Sequence, residues 1–207
     1  MTSNRLAEAG IDVSRETSER LESFAALLRK WNGAINLVSK STLDDLWSRH
    51  ILDSAQLATF FPEGKAIWAD LGSGGGLPGL VLAIMAHDLK PELSFQLVEA
   101  DQRKATFLRH VVRELALNVT VSSERIENLP PIGADVLSAR ALAPLSALCG
   151  HAVRHLCPSG IAIFPKGSNS ADEIADARKL WSFDVEAFPS LTSDEAAILH
   201  MKLIRHV

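Results

Sequence analysis

The sequence predicts a doubly wound α/β domain, with a mostly parallel seven-stranded sheet and an N-terminal helical extension. Three observations predict it. From Lys65 onward short β-type apolar runs alternate with helical ones, a glycine-rich loop follows the first such run, and the last two runs are joined by a loop too short for a crossover helix. The 207 residues suit one large domain with an appended segment, and 47% hydrophobic with 22% charged residues is a globular composition. The expected division is a helical segment over residues 1–60, packed on a core domain formed by residues 61–207.

In the N-terminal segment Leu21, Phe24, Ala25 and Leu28 recur at the spacing of one helix face, with Ser18 available as a cap. Trp31-Asn32-Gly33 supplies a turn. A second helix is expected to open with a capping box of Ser41 and Asp44, with Leu43, Leu46, His50 and Leu57 near one stripe. Strands are expected over residues 66–71, 93–99, 119–123, 135–139 and 160–164, and helices over 79–86, 104–115 and 142–156. The runs 183–188 and 198–204 read as an antiparallel hairpin at a sheet edge. Trp68, inside the first strand, belongs to the core.

Composition excludes several functions. The first eleven residues carry charge without a leader's apolar stretch, and no run reaches about eighteen uninterrupted apolar residues, so a cytoplasmic protein is expected and a membrane partner is not. Cys149 and Cys157 are spaced as neither a redox nor a zinc pair and read as reduced, buried thiols; no metal is expected. A net charge of −4 argues against a protein that coats nucleic acid. Arg103, Lys104, Arg109 and Arg113 share one helix only partly by face, so they read equally as a solvated surface or an RNA contact.

The sharpest local signal is Asp70-Leu71-Gly72-Ser73-Gly74-Gly75-Gly76-Leu77-Pro78-Gly79, placed between a strand and a helix that Pro78 can open. The dinucleotide fingerprint would need glycine at position 77, which is Leu77, and no Gly-Lys-Ser/Thr follows as in a P-loop. A tight turn remains the plain alternative. Glu99 ends the next strand, where a carboxylate can accept hydrogen bonds from ribose hydroxyls at the carboxyl edge of the sheet.

The acid, spacer and Gly72-x-Gly74-x-Gly76 pattern resembles the first motif of class I S-adenosylmethionine methyltransferases, whose fold is Rossmann-like. Further residues are similar to the ribosomal small-subunit RNA guanine-N7 methyltransferases, the glucose-inhibited division protein B family. They are Trp31-Asn32 with Asn36-Leu37, Arg49-His50-Ile51-Leu52-Asp53-Ser54, the glycine loop, Arg103-Lys104 with Phe107-Leu108, Arg125-Ile126-Glu127, Ser138-Ala139-Arg140-Ala141 and Lys166-Gly167. The loop has Gly75 where some relatives carry proline, and Glu99 stands where others have aspartate. The resemblance implies S-adenosyl-L-methionine as cofactor, held by Gly72, Gly74, Leu77 and Glu99, with Ile126 and Glu127 flanking the adenine and Arg140 in the surround of cofactor and active site. It also implies 16S ribosomal RNA or the small subunit as partner, guanine N7 in a decoding-centre loop as target, and a monomeric enzyme. A methyltransferase of another RNA, a protein or a small molecule shares every cofactor residue, and an NAD-binding oxidoreductase is a more distant alternative.

Guanine N7 carries an in-plane lone pair and can attack a sulfonium methyl group without losing a proton, so no general base is required. The residues fit this economy. Arg140 stays protonated and can only position, by stacking, by bonding to guanine O6, by holding a phosphate or by pairing with a carboxylate as scaffold. Lys104 and Lys166 are the candidate RNA contacts, Lys166 being the better placed for a phosphate. His50 reads as a packed or capping histidine.

Overall fold

A computed structural model describes the backbone from residue 3 to residue 207 and the side chains from residue 6 onward; residues 1 and 2 of the expected N-terminal segment lie outside the described residues. Seven strands form one sheet: β1 (Ala66–Leu71), β2 (Leu93–Val98), β3 (Val119–Ser122), β4 (Ala134–Ala139), β5 (Leu156–Lys166), β6 (Trp181–Pro189) and β7 (Ala197–His206). Their order is β3-β2-β1-β4-β5-β7-β6, parallel from β3 to β5 and antiparallel through β7 and β6. This is the expected doubly wound sheet with its terminal hairpin. The order reverses between β1 and β4, so a crevice opens at their carboxyl ends.

The helices are α1 (Ser3–Glu8), α2 (Arg15–Asn32), α3 (Asp53–Ala55), α4 (Gly79–Leu89), α5 (Gln102–Glu114), α6 (Leu145–His155) and α7 (Ser170–Ala177). Residues 80–86 of α4 are all buried, because β2 covers one side of the helix while α2 and α3 cover the other. Without the N-terminal segment that apolar helix would face water. The segment also seals its own edge: Ser14 and Thr17 hydroxyls donate to Asp88 Oδ2 at 2.7 and 2.6 Å, and Arg20 pairs with Oδ1 at 3.0 Å.

Several expected details differ. Ser14, not Ser18, caps α2: it holds extended backbone angles and accepts from the Thr17 N–H, while Ser18 lies buried one turn inside. No capping box forms at Ser41 and Asp44, since Ser41 sits in a short 3-10 turn, Lys40–Thr42, and bonds Ser39. The second helix is a broken one, a π turn at Trp47–Leu52, then α3, then a 3-10 turn at Gln56–Phe60. Helix α6 starts later than expected because Ala141 holds a φ of 52° and Pro144 is extended. Helix α7 was not anticipated. Cys149 is buried, and burial pushes its thiol up to about 11, but Cys157 is only half-buried.

A buried polar chain locks the crevice end of the sheet. Trp68 Nε1 donates to Ser138 Oγ at 2.9 Å, Ser138 Oγ donates to Asp70 Oδ1 at 2.7 Å, and the Gly79 N–H donates to Asp70 Oδ2 at 3.2 Å. It joins β1, β4 and the start of α4. A Cβ on residue 79 would stand 2.4 Å from Leu97 and 2.7 Å from the Asp70 carboxylate, so only glycine permits this approach. Burial pushes the Asp70 carboxyl up to about 6, against the lowering effect of the Ser138, Ser73 and Gly79 bonds.

Ser138→Ala strips both Trp68 and Asp70 of a buried partner and should cost about 2–4 kcal/mol in denaturant unfolding at constant m-value. Because the folded-state value of Asp70 lies above the ordinary one, wild type carries a growing cost of ionising it as pH rises from about 4 to about 6. Relative to wild type, Asp70→Asn should therefore gain stability over that interval, which paired urea titrations would measure.

Candidate cofactor and substrate site

Two adjoining cavities occupy the crevice and share a wall made of Ala141, Leu142 and Ala143. The first, about 440 Å³, is lined by the glycine loop, the end of β2 and the turn after β3. The second, about 650 Å³, lies toward β5, α7 and the β6–β7 loop. Both are of ordinary ligand-site size.

The first cavity is built by the backbone of the glycine loop. Gly72 holds a φ of 66°, which favours glycine, and a Cβ there would also press the Leu142 side chain of the shared wall. Ser73 N–H donates to Val98 O at 3.0 Å and Ser73 Oγ to Asp70 O at 2.8 Å, fixing the loop to β2 and β1. Glu99 is 8% exposed, with Oε2 accepting from Gly74 N–H and Oε1 from Asp101 N–H, each at 2.8 Å. Each oxygen keeps a lone-pair direction, so the carboxylate can still accept from two hydroxyl groups in the cavity. Asp101 in turn caps α5.

Of the residues anticipated here, Gly72, Gly74, Glu99, Ile126 and Glu127 all line the first cavity. Ile126 and Glu127 stand on the 3-10 turn Ile126–Asn128, with Ile126 largely buried and Glu127 exposed. Leu77 is not among the lining residues. It is 5% exposed and packed in the core, its N–H turned to Ser73 O at 3.2 Å. Lys104, anticipated as an RNA contact, lines this first cavity. The rest of its basic run is spoken for locally: Arg103 beside Asp101, Arg109 on Val121 O and Arg113 on His110.

Arg140 lines the second cavity and is tied in place. Its guanidinium pairs with Asp53 Oδ2 at 3.1 Å, donates to Arg49 O at 3.4 Å and meets His50 Nδ1 at 3.2 Å. A guanidinium only donates, so Nδ1 accepts and the imidazole proton resides on Nε2, 2.8 Å from Thr42 Oγ1. Burial, then the Arg140 charge, lowers His50 to about 4, which keeps it neutral. Asp53 Oδ1 accepts from Gln56 Nε2 at 3.0 Å and Thr192 Oγ1 at 2.9 Å, while Gln56 Oε1 accepts the Leu191 N–H at 2.8 Å. The π turn, the end of β4 and the β6–β7 loop thus meet at one carboxylate. Sequence reading quoted Asp53 inside a motif and missed this role, for Thr192 lies 139 residues away.

Lys166 also lines the second cavity, but it is not a free cation. Its Nζ pairs with Glu173 Oε2 at 2.7 Å and donates to Ala143 O at 3.1 Å, with the side chain 9% exposed. A carboxylate at that distance offsets the charge that the expected phosphate contact would use.

Solved structures share this architecture at low identity. A SAM-dependent methyltransferase from Aquifex aeolicus matches with a TM-score of 0.59 and 12% identity, covering 86% of this chain and 98% of that one. The mitomycin 7-O-methyltransferase MmcR matches with a TM-score of 0.60 and 15% identity, covering 88% and 67%. These likenesses show the class I methyltransferase fold. Sequence relatives are nearer. Proteins named ribosomal RNA small subunit methyltransferase G are 56% identical in Cereibacter sphaeroides (96% of this chain, 97% of the relative) and 50% identical in Paracoccus denitrificans (95% and 100%). Residues 17–200 match the family described as rRNA small subunit methyltransferase G, to which the chain therefore belongs.

Proposed function

We propose that the protein transfers the methyl group of S-adenosyl-L-methionine to N7 of a guanosine in a decoding-centre loop of 16S ribosomal RNA. In this reading it acts in the cytoplasm as a monomer, on 16S RNA or the small subunit, without a metal. The observation that carries it is the pair of cavities sharing one wall, the first lined by the glycine loop and Glu99 and the second by the fixed guanidinium of Arg140.

The first cavity fits the cofactor. The spare lone pairs of Glu99 suit a ribose diol, Ile126 offers an apolar side to adenine, and Glu99, Glu124 and Glu127 outnumber Lys104 and Arg125 by one charge, which suits a ligand carrying positive charge. When bound, the cofactor supplies an electrophilic methyl group on a sulfonium. The chain's own task is alignment. Gly72 lets the loop approach closely, Glu99 holds loop and ribose together, and Arg140 presents a fixed guanidinium on the substrate side.

Proton transfer is not supported by the groups around Arg140. Arg140 cannot accept a proton, His50 Nδ1 is engaged and weakly basic, and both Asp53 oxygens are bonded. Such a site suits a nucleophile that already has a lone pair. The names of the relatives support ribosomal RNA as the substrate, and the resemblance of the quoted motifs supports N7.

Ribosomal RNA from cells lacking the gene should have lost one 7-methylguanosine, mapped by mass spectrometry, and addition of the protein with S-adenosyl-L-methionine should restore it; restoration of any other modified nucleoside would refute the assignment. Glu99→Gln should weaken S-adenosylhomocysteine binding by about ten- to a hundred-fold, or roughly 1.5–3 kcal/mol, in calorimetry on a folded variant. Single-turnover methylation should be nearly flat from about pH 7 to 9, and Arg140→Lys should slow it at every pH alike. A rate climbing about ten-fold per pH unit would reveal an essential deprotonation.

A further inference from the structure

The second cavity holds a charged pair that methyl transfer itself leaves unused. Lys166 Nζ and Glu173 Oε2 stand 2.7 Å apart, with side chains 9% and 29% exposed. The same Oε2 accepts the Leu145 N–H at 2.7 Å, which fastens the carboxylate to the first turn of α6, and the ammonium is held a second time by Ala143 O at 3.1 Å. Ala143 belongs to the wall shared with the cofactor cavity. An ammonium has three N–H groups, of which two are used, and Glu173 Oε1 has no partner among the described residues. One donor and one acceptor are therefore left on a pair with no net charge, both of whose residues line the cavity.

That pattern suits a neutral, planar partner better than a phosphate. Guanine presents the O6 acceptor beside the N1–H donor on its Watson–Crick edge. Adenine presents the reverse, an amino donor beside the N1 acceptor, so the pair would meet it donor to donor and acceptor to acceptor. Uracil shares guanine's pattern but has no N7 to be methylated. Resting on the preceding reading that a base enters this cavity, we propose that Lys166 and Glu173 determine base specificity, Lys166 donating to O6 and Glu173 Oε1 accepting from N1–H of the target guanine. N7 lies on the far side of O6 and takes part in neither bond. It stays free to attack. A site built to pair a polar edge rejects an analogue that lacks it far more strongly than an apolar pocket does, because its own buried groups are then left unpaired.

The test is single-turnover methylation of small-subunit RNA carrying guanosine, inosine or adenosine at the mapped target position. Inosine keeps O6 and N1–H, so wild-type protein should methylate it within about threefold of guanosine and adenosine at least about a hundred-fold more slowly. Glu173→Gln keeps a carbonyl for Lys166 and Leu145 while placing an amide donor where Oε1 stood. It should lower the guanosine-to-adenosine rate ratio by about ten-fold or more, with S-adenosylhomocysteine affinity unchanged. A wild-type ratio in this variant overturns the proposal, including when all rates fall equally, since a loosened α6–α7 contact would do only that. Should the variant fail to fold, the wild-type arm decides: refusal of inosine, or adenosine used as fast as guanosine, overturns it. Absence of N7 methylation on every RNA would instead overturn the preceding reading and this one together.

Discussion

One fully buried carboxylate sets the geometry on which the crevice depends. Asp70 takes the Ser138 hydroxyl on one oxygen and the first amide of α4 on the other, so the end of β1, the neighbouring β4 and the helix after the glycine loop are fixed relative to one another. A charge in the interior is tolerated only when donors surround it, and these are supplied by groups whose positions the fold already dictates. The loop between Asp70 and Gly79 therefore spans two clamped ends. Glu99 adds a third hold from β2 through Gly74, which leaves the loop little freedom to be anything but a preformed cradle.

What was legible in the sequence follows from how locally each feature is determined. Strands β1, β2 and β4 are largely buried runs, β5 is buried along its middle and β3 is a short β-branched run, and all five are legible within a few residues of their ends, as are α4 and α5. The loop and Glu99 were legible because glycine and an acid at a strand end answer a local chemical need. Helix α7 was not, since its eight residues offer only Ile174 and scattered alanines as an apolar face, and Glu173 ties it to α6 across the chain. The cap of α2 was misread for a similar reason: two serines lie near the helix start, and Ser14 is selected partly by Asp88, which lies 74 residues away. Leu77 follows the family pattern in sequence, yet its side chain fills the core beneath the loop.

The same distinction explains the charges. Local reading saw Arg140 and Lys166 as cations at strand ends. In three dimensions each is matched by a carboxylate, Asp53 from a distant segment and Glu173 from the helix that follows β5, so the second cavity is polar but nearly neutral. A protein of net charge −4 with such a site has little with which to attract arbitrary nucleic acid. On the proposed reading, recognition depends on the fit of one presented nucleotide and on a preshaped surface, and less on the phosphate chain.

The placing of β7 between β5 and β6 has a consequence for how the molecule comes into being. Strand β6 leaves the ribosome first but has no neighbour to pair with until β7 has followed it and slotted in beside β5. Thr192, which joins Asp53 from the loop between them, arrives in the same step. A nascent chain can thus assemble the first cavity, whose lining ends at His151, before the second cavity gains its far wall. The second cavity is completed last, as a single event that reports completion of the sheet.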